Sequence, residues 1–465
     1  MRRTRHRLLP TLACLLALTL AGPARGQSDG TLDPSFWGDG VVLFDGLAGM
    51  FLPARLLVAP DGRLVAAGTW WGLDEYLYTW VAIDDGALTG LCGFAPPGGA
   101  VWPIGAYDAA FDGAGRLVLA GEVNYPGEGA VFAAMAFAYP DCALDPSFDG
   151  DGYFVYNRPG GEESLTAIAP APGGKLVLAG GFFPSAGPSD ALLLRLDAAG
   201  ALDPSFSGDG IALFDTAGLG FNDWATAVAT LADGRVVFAG NATMNGAGSD
   251  LDFVVARLTA GGALDSSFAG DGTRTVPFNL PTDATNPIDT ATALALDRAT
   301  GGVLVAGAAA VNAGSTRWAF ARLTSGGALD LSFNGSGKVW TAEPAGEPRL
   351  YQPDAVALQD DGKIVAAGQG SASIASDRDV TALRLLPGGA PDPTFGPDGL
   401  RFVVLDQGGS NQDVVAGLAL QSGKLALAVQ IDTDGWDKLA FLRLWNGLIF
   451  ADAFETDDTL EWGGP

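Results

Sequence analysis

LDPSFSGDG, residues 202–210, decides the fold because it recurs. The same phrase reads LDPSFWGDG from Leu32, LDPSFDGDG from Leu144, LDSSFAGDG from Leu264, LDLSFNGSG from Leu329 and PDPTFGPDG from Pro391. Its aspartates, Asp33, Asp145, Asp203, Asp265, Asp330 and Asp392, are spaced by 112, 58, 62, 65 and 62 residues. The first gap spans two periods, and a worn copy, Leu88-Thr89-Gly90 with Phe94 beyond, is expected in its middle. A fixed period of about sixty residues is the mark of a repeat architecture.

Two further phrases keep the same count. DGRLVAAG ends at Gly68, and its counterparts end at Gly121, Gly180, Gly240, Gly307 and Gly368, with a lapsed seventh, GKLALAV, at Val429. The third phrase reads LLLRL before Asp197, FVVARL from Phe253, AFARL from Ala319, VTALRL from Val380 and AFLRL from Ala440, with looser versions at 78–83 and 131–137. Each is a run of five to eight residues, rich in Val, Leu, Ile and Phe and bounded by Asp-Gly, Gly-Gly or Pro, which reads as a strand. Unit six resolves into four: 355–359, 363–367, 380–385 and 400–405. The Asp-Gly between the first two leaves room only for a tight hairpin. These runs alternate too weakly to face water, so both faces of each sheet must be covered. Radial stacking of four-stranded sheets covers them.

The expected fold is therefore all-β: a seven-bladed propeller of four-stranded antiparallel blades over residues 27–446. The chain meets its first LDPSF turn before any complete unit, and its last unit stops after three strands. Val41 to Phe44 should accordingly pair with Leu439 to Leu444 and close the ring, removing two open edges.

In these phrases the chain resembles the delta-60 repeat of secreted bacterial proteins, whose units carry LDxSFGxxG and DGKIVVAG. The resemblance runs from about Leu32 to Leu444 and lapses at 88–99 and at Val429. It implies a propeller-like fold and brings no general activity with it.

The N-terminus reads as an export signal over residues 1–26. Arg2, Arg3, Arg5 and Arg7 precede an apolar stretch from Leu8 to Leu20, and Ala24-Arg25-Gly26 offers a cleavage site that leaves Gln27 first. Thr11-Leu12-Ala13 before Cys14 makes a poor lipobox, and no later segment is long and apolar enough for a membrane span. Of the 26 basic residues five (Arg2, Arg3, Arg5, Arg7, Arg25) fall in that signal, leaving 21 against 53 acidic ones, a balance of −32. Such a surface repels nucleic acid and anionic lipid. Residues 447–465 stand outside the repeat as a tail, read either as a sorting tag or as a packed appendage.

The sole histidine, His6, lies in the signal. Its loss removes a Ser-His-Asp triad, histidine-ligated zinc or iron, and imidazole acid–base catalysis. No Gly-rich nucleotide loop appears. Carboxylate chemistry survives, since a glycosidase needs only two acids held apart. Calcium survives too, with Asp432, Asp434 and Asp437 as an incomplete DxDG loop set against a solvated turn. No other cofactor is expected. Cys92 and Cys142, an even pair in an exported chain, favour a disulfide over two free thiols.

A group needed by every blade recurs in every blade, whereas a binding site needs its groups once. Arg195, Arg257, Arg322, Arg384 and Arg443 on the third strand, with the aspartates and phenylalanines of the following turn, read as a structural brace with buried plugs. The loops between second and third strands, and those entering each first strand, vary and share one face. They carry Trp70, Trp71, Asp74, Tyr76, Trp102, Tyr125, Trp224, Trp318, Tyr351 and Trp436, which are the candidate ligand contacts, against an equal case for packing between blades. The leading reading is an exported, monomeric, non-enzymatic propeller that binds a protein or glycan. The alternatives are an extracellular carboxylate-dependent hydrolase or lyase at the channel mouth, and a structural surface repeat.

Overall fold

The computed structural model describes residues 30–44, 50–72, 76–84, 87–94, 102–125, 129–245, 250–280, 288–312, 315–341, 349–371, 378–405, 412–433 and 437–446. The expected signal and tail lie outside them. Seven four-stranded antiparallel sheets form a ring. Blades one to six cover residues 50–94, 102–156, 161–214, 223–276, 289–340 and 349–403, each with its strands in chain order from first to fourth. Blade seven, 414–445, takes its fourth strand from Val41–Phe44, which pairs antiparallel from Val41↔Leu442 to Phe44↔Leu439. This is the closure expected from the sequence. First strands of successive blades touch around the whole ring, blade seven's against blade one's included, and so surround the axis.

No blade owns a core. Each of the seven apolar clusters among the described residues combines two neighbouring blades, such as Val237, Phe253 and Val255 of blade four with Ala291, Val303 and Val305 of blade five. At roughly 25 cal/mol per Å² of apolar surface, burial between blades is the main favourable term.

The glycine that ends the second phrase answers to a β-bulge. Each first strand holds an unpaired residue at this level, as between Leu165 and Ala167 in blade three, and those of blades two and six hold a second. The bulge pushes a carbonyl toward the second strand, so a Cβ on Gly180 would lie 2.0 Å from the Ser164 carbonyl oxygen, and one on Gly121 would lie 1.9 Å from that of Gly105. Glycine fits beneath the bulge in six blades, whereas blade seven carries the buried Val429 at that place.

The LDPSF turns hold one blade to the next. In blade four the Arg257 Nε lies 2.7 Å from Asp265 Oδ2, Arg257 Nη2 donates to the Ser267 hydroxyl at 2.8 Å, and Arg257 Nη1 reaches the Ser325 carbonyl of blade five. The guanidinium also lies 4.9 Å from the centre of the Phe268 ring, which is fully buried. The pairs Arg195–Asp203, Arg322–Asp330, Arg384–Asp392 and Arg443–Asp33 repeat this at 2.7, 2.7, 2.9 and 2.7 Å. At four turns the amide of the residue after the plug adds a second tie, as from Ala269 to Gly326 at 2.8 Å and from Asn334 to Gly388 at 2.9 Å. Blade two has Ala136 at the arginine's place on the third strand. There Arg116, from the first hairpin, pairs with Asp112 at 2.6 Å, donates to Ser147 at 3.0 Å and to the Ala198 carbonyl of blade three at 2.6 Å, and covers Phe148.

One expectation is corrected. Leu88-Thr89-Gly90 is not a worn LDPSF turn but part of blade one's fourth strand, Ala87–Phe94, which follows the third strand across only two residues. Blade one therefore has no turn of this type to dock on blade two. At that junction Cys92, on this fourth strand, is bonded to Cys142 of blade two's turn, with Cα atoms 5.3 Å apart. Tyr139 of blade two packs on Trp80 of blade one, ring centres 5.3 Å apart, with Arg63 5.2 Å from the centre of its ring.

Two outcomes follow from these ties. Burial disfavours the ionised forms of Asp265 and Asp392, yet the hydroxyls and amides of Ser267 and Thr394, with the arginines, prevail and hold both carboxyls at about 2, below their ordinary 3.8. Groups depressed in this way stabilise the fold fully above about pH 4 and lose that contribution as pH falls through their folded values. Acid titration followed by circular dichroism should show stability declining between about pH 4 and pH 2. Arg257→Met should flatten part of that decline and cost ~3 kcal/mol at neutral pH; Arg322→Met, at a more exposed pair, should cost less. Separately, the disulfide closes a loop across a sequence separation of 50 residues. Cys92→Ser should cost up to ~4 kcal/mol by loop entropy, read as a lower melting temperature that reducing agent no longer changes.

Candidate functional site

Chain direction sorts the loops. First and third strands run toward the face that carries the Asp-Gly hairpins and the LDPSF turns, here the base. Second and fourth strands run to the opposite, upper face, where the variable loops lie. Of the exposed large apolar groups among the described residues, Trp71, Phe183, Leu219, Ile288, Trp340 and Val404 lie at the upper face, against Trp37, Val58, Leu88 and Leu331 at the base, while Tyr107 stands on the channel wall. The upper face thus carries more of these groups than the base.

The bulged residues of the seven first strands form one level of the channel wall: Ala54, Tyr107, Thr166, Thr226, Thr292, Asp354 and Ala416. All are at least partly exposed on the innermost strands. The threonines tie the wall together, for the Thr166 hydroxyl lies 3.1 Å from the Ala179 carbonyl of its own blade and 2.9 Å from the Ala225 carbonyl of the next.

Two stretches of this wall carry charge. At blades one and two Arg55 stands 3.6 Å from Asp108, whose carboxylate also accepts the Ala109 amide at 2.8 Å and the Ile168 amide of blade three at 2.9 Å. Burial raises the Asp108 carboxyl despite Arg55. Beside it Tyr107 is 42% exposed, and partial burial with the Glu122 charge pushes its phenol up to about 12. On blade six Asp354 accepts the Gln352 side-chain amide at 2.8 Å and that of Gln369 at 3.5 Å. Arg378 completes this set, donating to Gln369 Oε1 at 2.8 Å with its guanidinium 4.7 Å from the centre of the Tyr351 ring. Burial pushes the Asp354 carboxyl up to about 7, so at neutral pH it is shared between acid and carboxylate. No repeated phrase marks Asp354 or Gln369; a bulge register, which the sequence does not print, would have been the signal.

The expected contacts divide. Trp71 is 38% exposed at the rim. Trp224 and Tyr351 are partly buried, the latter under Arg378. Trp70 packs against an apolar cluster between blades seven and one. Trp318 is fully buried in the cluster between blades five and six and presents nothing to a ligand, because its strand position faces the junction. Tyr76, Trp102 and Tyr125 stand on strands, with their side chains outside the described set; Asp74, Asp434 and Trp436 lie outside the described residues. Of the expected calcium loop, Asp437 accepts the Gln430 side-chain amide at 2.6 Å, and the Asp432 amide donates to Asp413 at 3.3 Å. Among the described residues no three acidic or cysteine side chains close on one point as a metal site. None of their helices is long and apolar enough to cross a membrane.

Four stretches, 172–206, 231–268, 299–333 and 359–395, match the model of a domain of unknown function (DUF5122) beta-propeller. They fall on blades three to six, where the repeat phrases are best kept, and the chain is a β-propeller repeat protein. No curated protein matches it in sequence. Among solved structures it is similar to polysaccharide lyase Uly1, at 10% identity and TM-score 0.50 over 90% of this chain and 99% of that one. It is also similar to Sqt1 from Chaetomium thermophilum, at 12% identity and TM-score 0.46 over 87% and 98%, and to a streptogramin B lyase, at 12% and 0.43 over 87% and 97%. At such identities the likeness is one of fold.

Proposed function

We propose that this chain is an exported, monomeric, non-enzymatic propeller of the delta-60 type that binds a protein or glycan on its upper face. The observation that carries this reading is the contrast between the two faces. The base is occupied by a clasp that repeats from blade to blade, whereas the upper face gathers exposed apolar groups and the Tyr351–Arg378 pair, each present once. Aromatic rings beside arginine and carboxyl groups suit a sugar ring or a charged peptide. A glycan array and a pull-down with the mature chain test it. Trp71→Ala, Phe183→Ala and Tyr351→Ala should each weaken binding by about tenfold or more, while Trp37→Ala and Leu331→Ala leave it unchanged. Loss of binding in the base-face variants alone would reverse the assignment.

A hydrolase or lyase reading has one observation in its favour, the half-ionised Asp354 on the channel wall. Against it, the Asp354 network contains amides and a guanidinium but no second carboxylate among the described residues, and carboxylate-based hydrolysis needs two. Were this reading right, the mature chain would cleave a polysaccharide from the array, and Asp354→Asn would abolish cleavage while binding persisted.

A further inference from the structure

Where one blade's third strand begins, it lies beside the head of the next blade's first strand. Parallel bridges record this at Leu251↔Ile288 and Arg378↔Gln412, and the Asp223 amide donates to the Ser189 carbonyl at 2.8 Å. One residue further along each strand, these three junctions hold Asp190 with Asp223, Asp252 with Asp289, and Asp379 with Asp413.

The pair between blades four and five is the most deprived. Asp289 is fully buried and Asp252 is 6% exposed. Asp289 Oδ2 accepts the Phe278 amide at 2.7 Å, and the Asn279 and Ala310 amides also favour its charged form. Asp252 Oδ1 and Asp289 Oδ1 are buried without a hydrogen-bond partner. Asp250 adds a third negative charge that acts on both. Lys338 offsets part of the charge on Asp252, but its ammonium is committed to the Pro277 carbonyl at 2.7 Å. Blades three and four repeat the arrangement, with Asp223 Oδ1 likewise buried and unpartnered and Asp215 as the third acid acting on both Asp190 and Asp223.

Buried carboxylate oxygens left without donors cost several kcal/mol unless a proton or a cation meets them. One shared proton would neutralise one charge of three. A hard divalent cation accepts oxygen from several carboxylates and from main-chain carbonyls at once. We propose that Asp252 and Asp289 together bind a divalent cation of the calcium class between blades four and five, and that this metal clamps the two blades at the upper face as the arginine clasp does at the base. Its ligands are all oxygen, so the site favours calcium over zinc. It lies on a different junction from the loop of Asp432 and Asp437.

Equilibrium dialysis of the full mature chain against radiolabelled calcium chloride, after treatment with chelator, tests this. The unsubstituted chain should bind at least one equivalent, and saturating calcium should raise its melting temperature by about 3–5 °C. Asp252→Asn should lose one equivalent and a matching share of the shift. That variant carries the test, because Asp252 makes no hydrogen bond that the fold would miss, whereas Asp289→Asn also disturbs the Phe278 amide. Asp432→Asn should bind as the unsubstituted chain does. No bound calcium, undiminished binding by Asp252→Asn, or loss of the equivalent through Asp432→Asn would each overturn the assignment. If Asp252→Asn melts higher than the parent while neither binds calcium, the pair is held by a proton.

Discussion

A blade in this ring owns neither of the apolar layers that cover it, and the remainder of the structure follows from that. Val237 and Phe253 are buried by residues of blade five, whose own Leu304 and Phe320 are buried by blade six. A sheet whose two faces both depend on neighbours has no stable state as a single unit, so the array must be continued until it closes. Closure is supplied by the one strand among the described residues without a partner in its own unit, Val41–Phe44, and it seals the apolar layer that includes Val42, Phe441 and Phe51. The bulge and its glycine serve the same demand, since the bend in each first strand admits the threonine bridges that join the wall of the channel.

Burial alone is non-directional and would let blades slide, so each junction also carries a directional tie. Five use a third-strand arginine with its aspartate, hydroxyl and ring. Blade two rebuilds the same contacts from Arg116 on another strand, reaching Ser147, Phe148 and the next blade's Ala198 carbonyl. Blade one, which has no LDPSF turn, is joined by Cys92–Cys142 and by Tyr139 set between Trp80 and Arg63. Such substitutions show that the requirement lies at the junction and not in the phrase. They also fix one face of the ring as structural, which leaves diversity to the other.

Much of this was legible because repetition converts weak local signals into strong ones. The seven units, their strand order, the closing pair and the burial of Phe36, Phe148, Phe206, Phe268, Phe333 and Phe395 all rest on features that recur. What escaped the sequence was whatever depends on register between blades. Trp318 reads as a loop aromatic, but two residues decide whether such a ring faces water or the junction, and here it faces the junction. Leu88 to Gly90 sit at the expected interval yet belong to a strand, because a two-residue connection can replace a turn of a dozen residues without shifting the blade that follows. Asp354 lies in a bulge whose position shows only when Ala355 is seen opposite Ala367.

The same register changes what repetition means at the two faces. At the base, recurring charges are opposite in sign, each third-strand arginine facing an aspartate of an LDPSF turn, with a second cation, Lys175, Lys363 or Lys424, beside three of those aspartates. At the upper face, recurring aspartates come from different blades and share a sign. Asp252 and Asp289 are brought together by the ring and not by the sequence, across 37 residues that no local pattern links. A pair of like charges buried by closure is a cost that the isolated units never carried, and it is placed where neither an arginine nor a bonded cysteine compensates it. On blade six the rim offers a guanidinium and a ring instead, Arg378 over Tyr351. The upper face is therefore divided by its own assembly into junctions where acids from two blades meet and a stretch on blade six where Arg378 covers the Tyr351 ring.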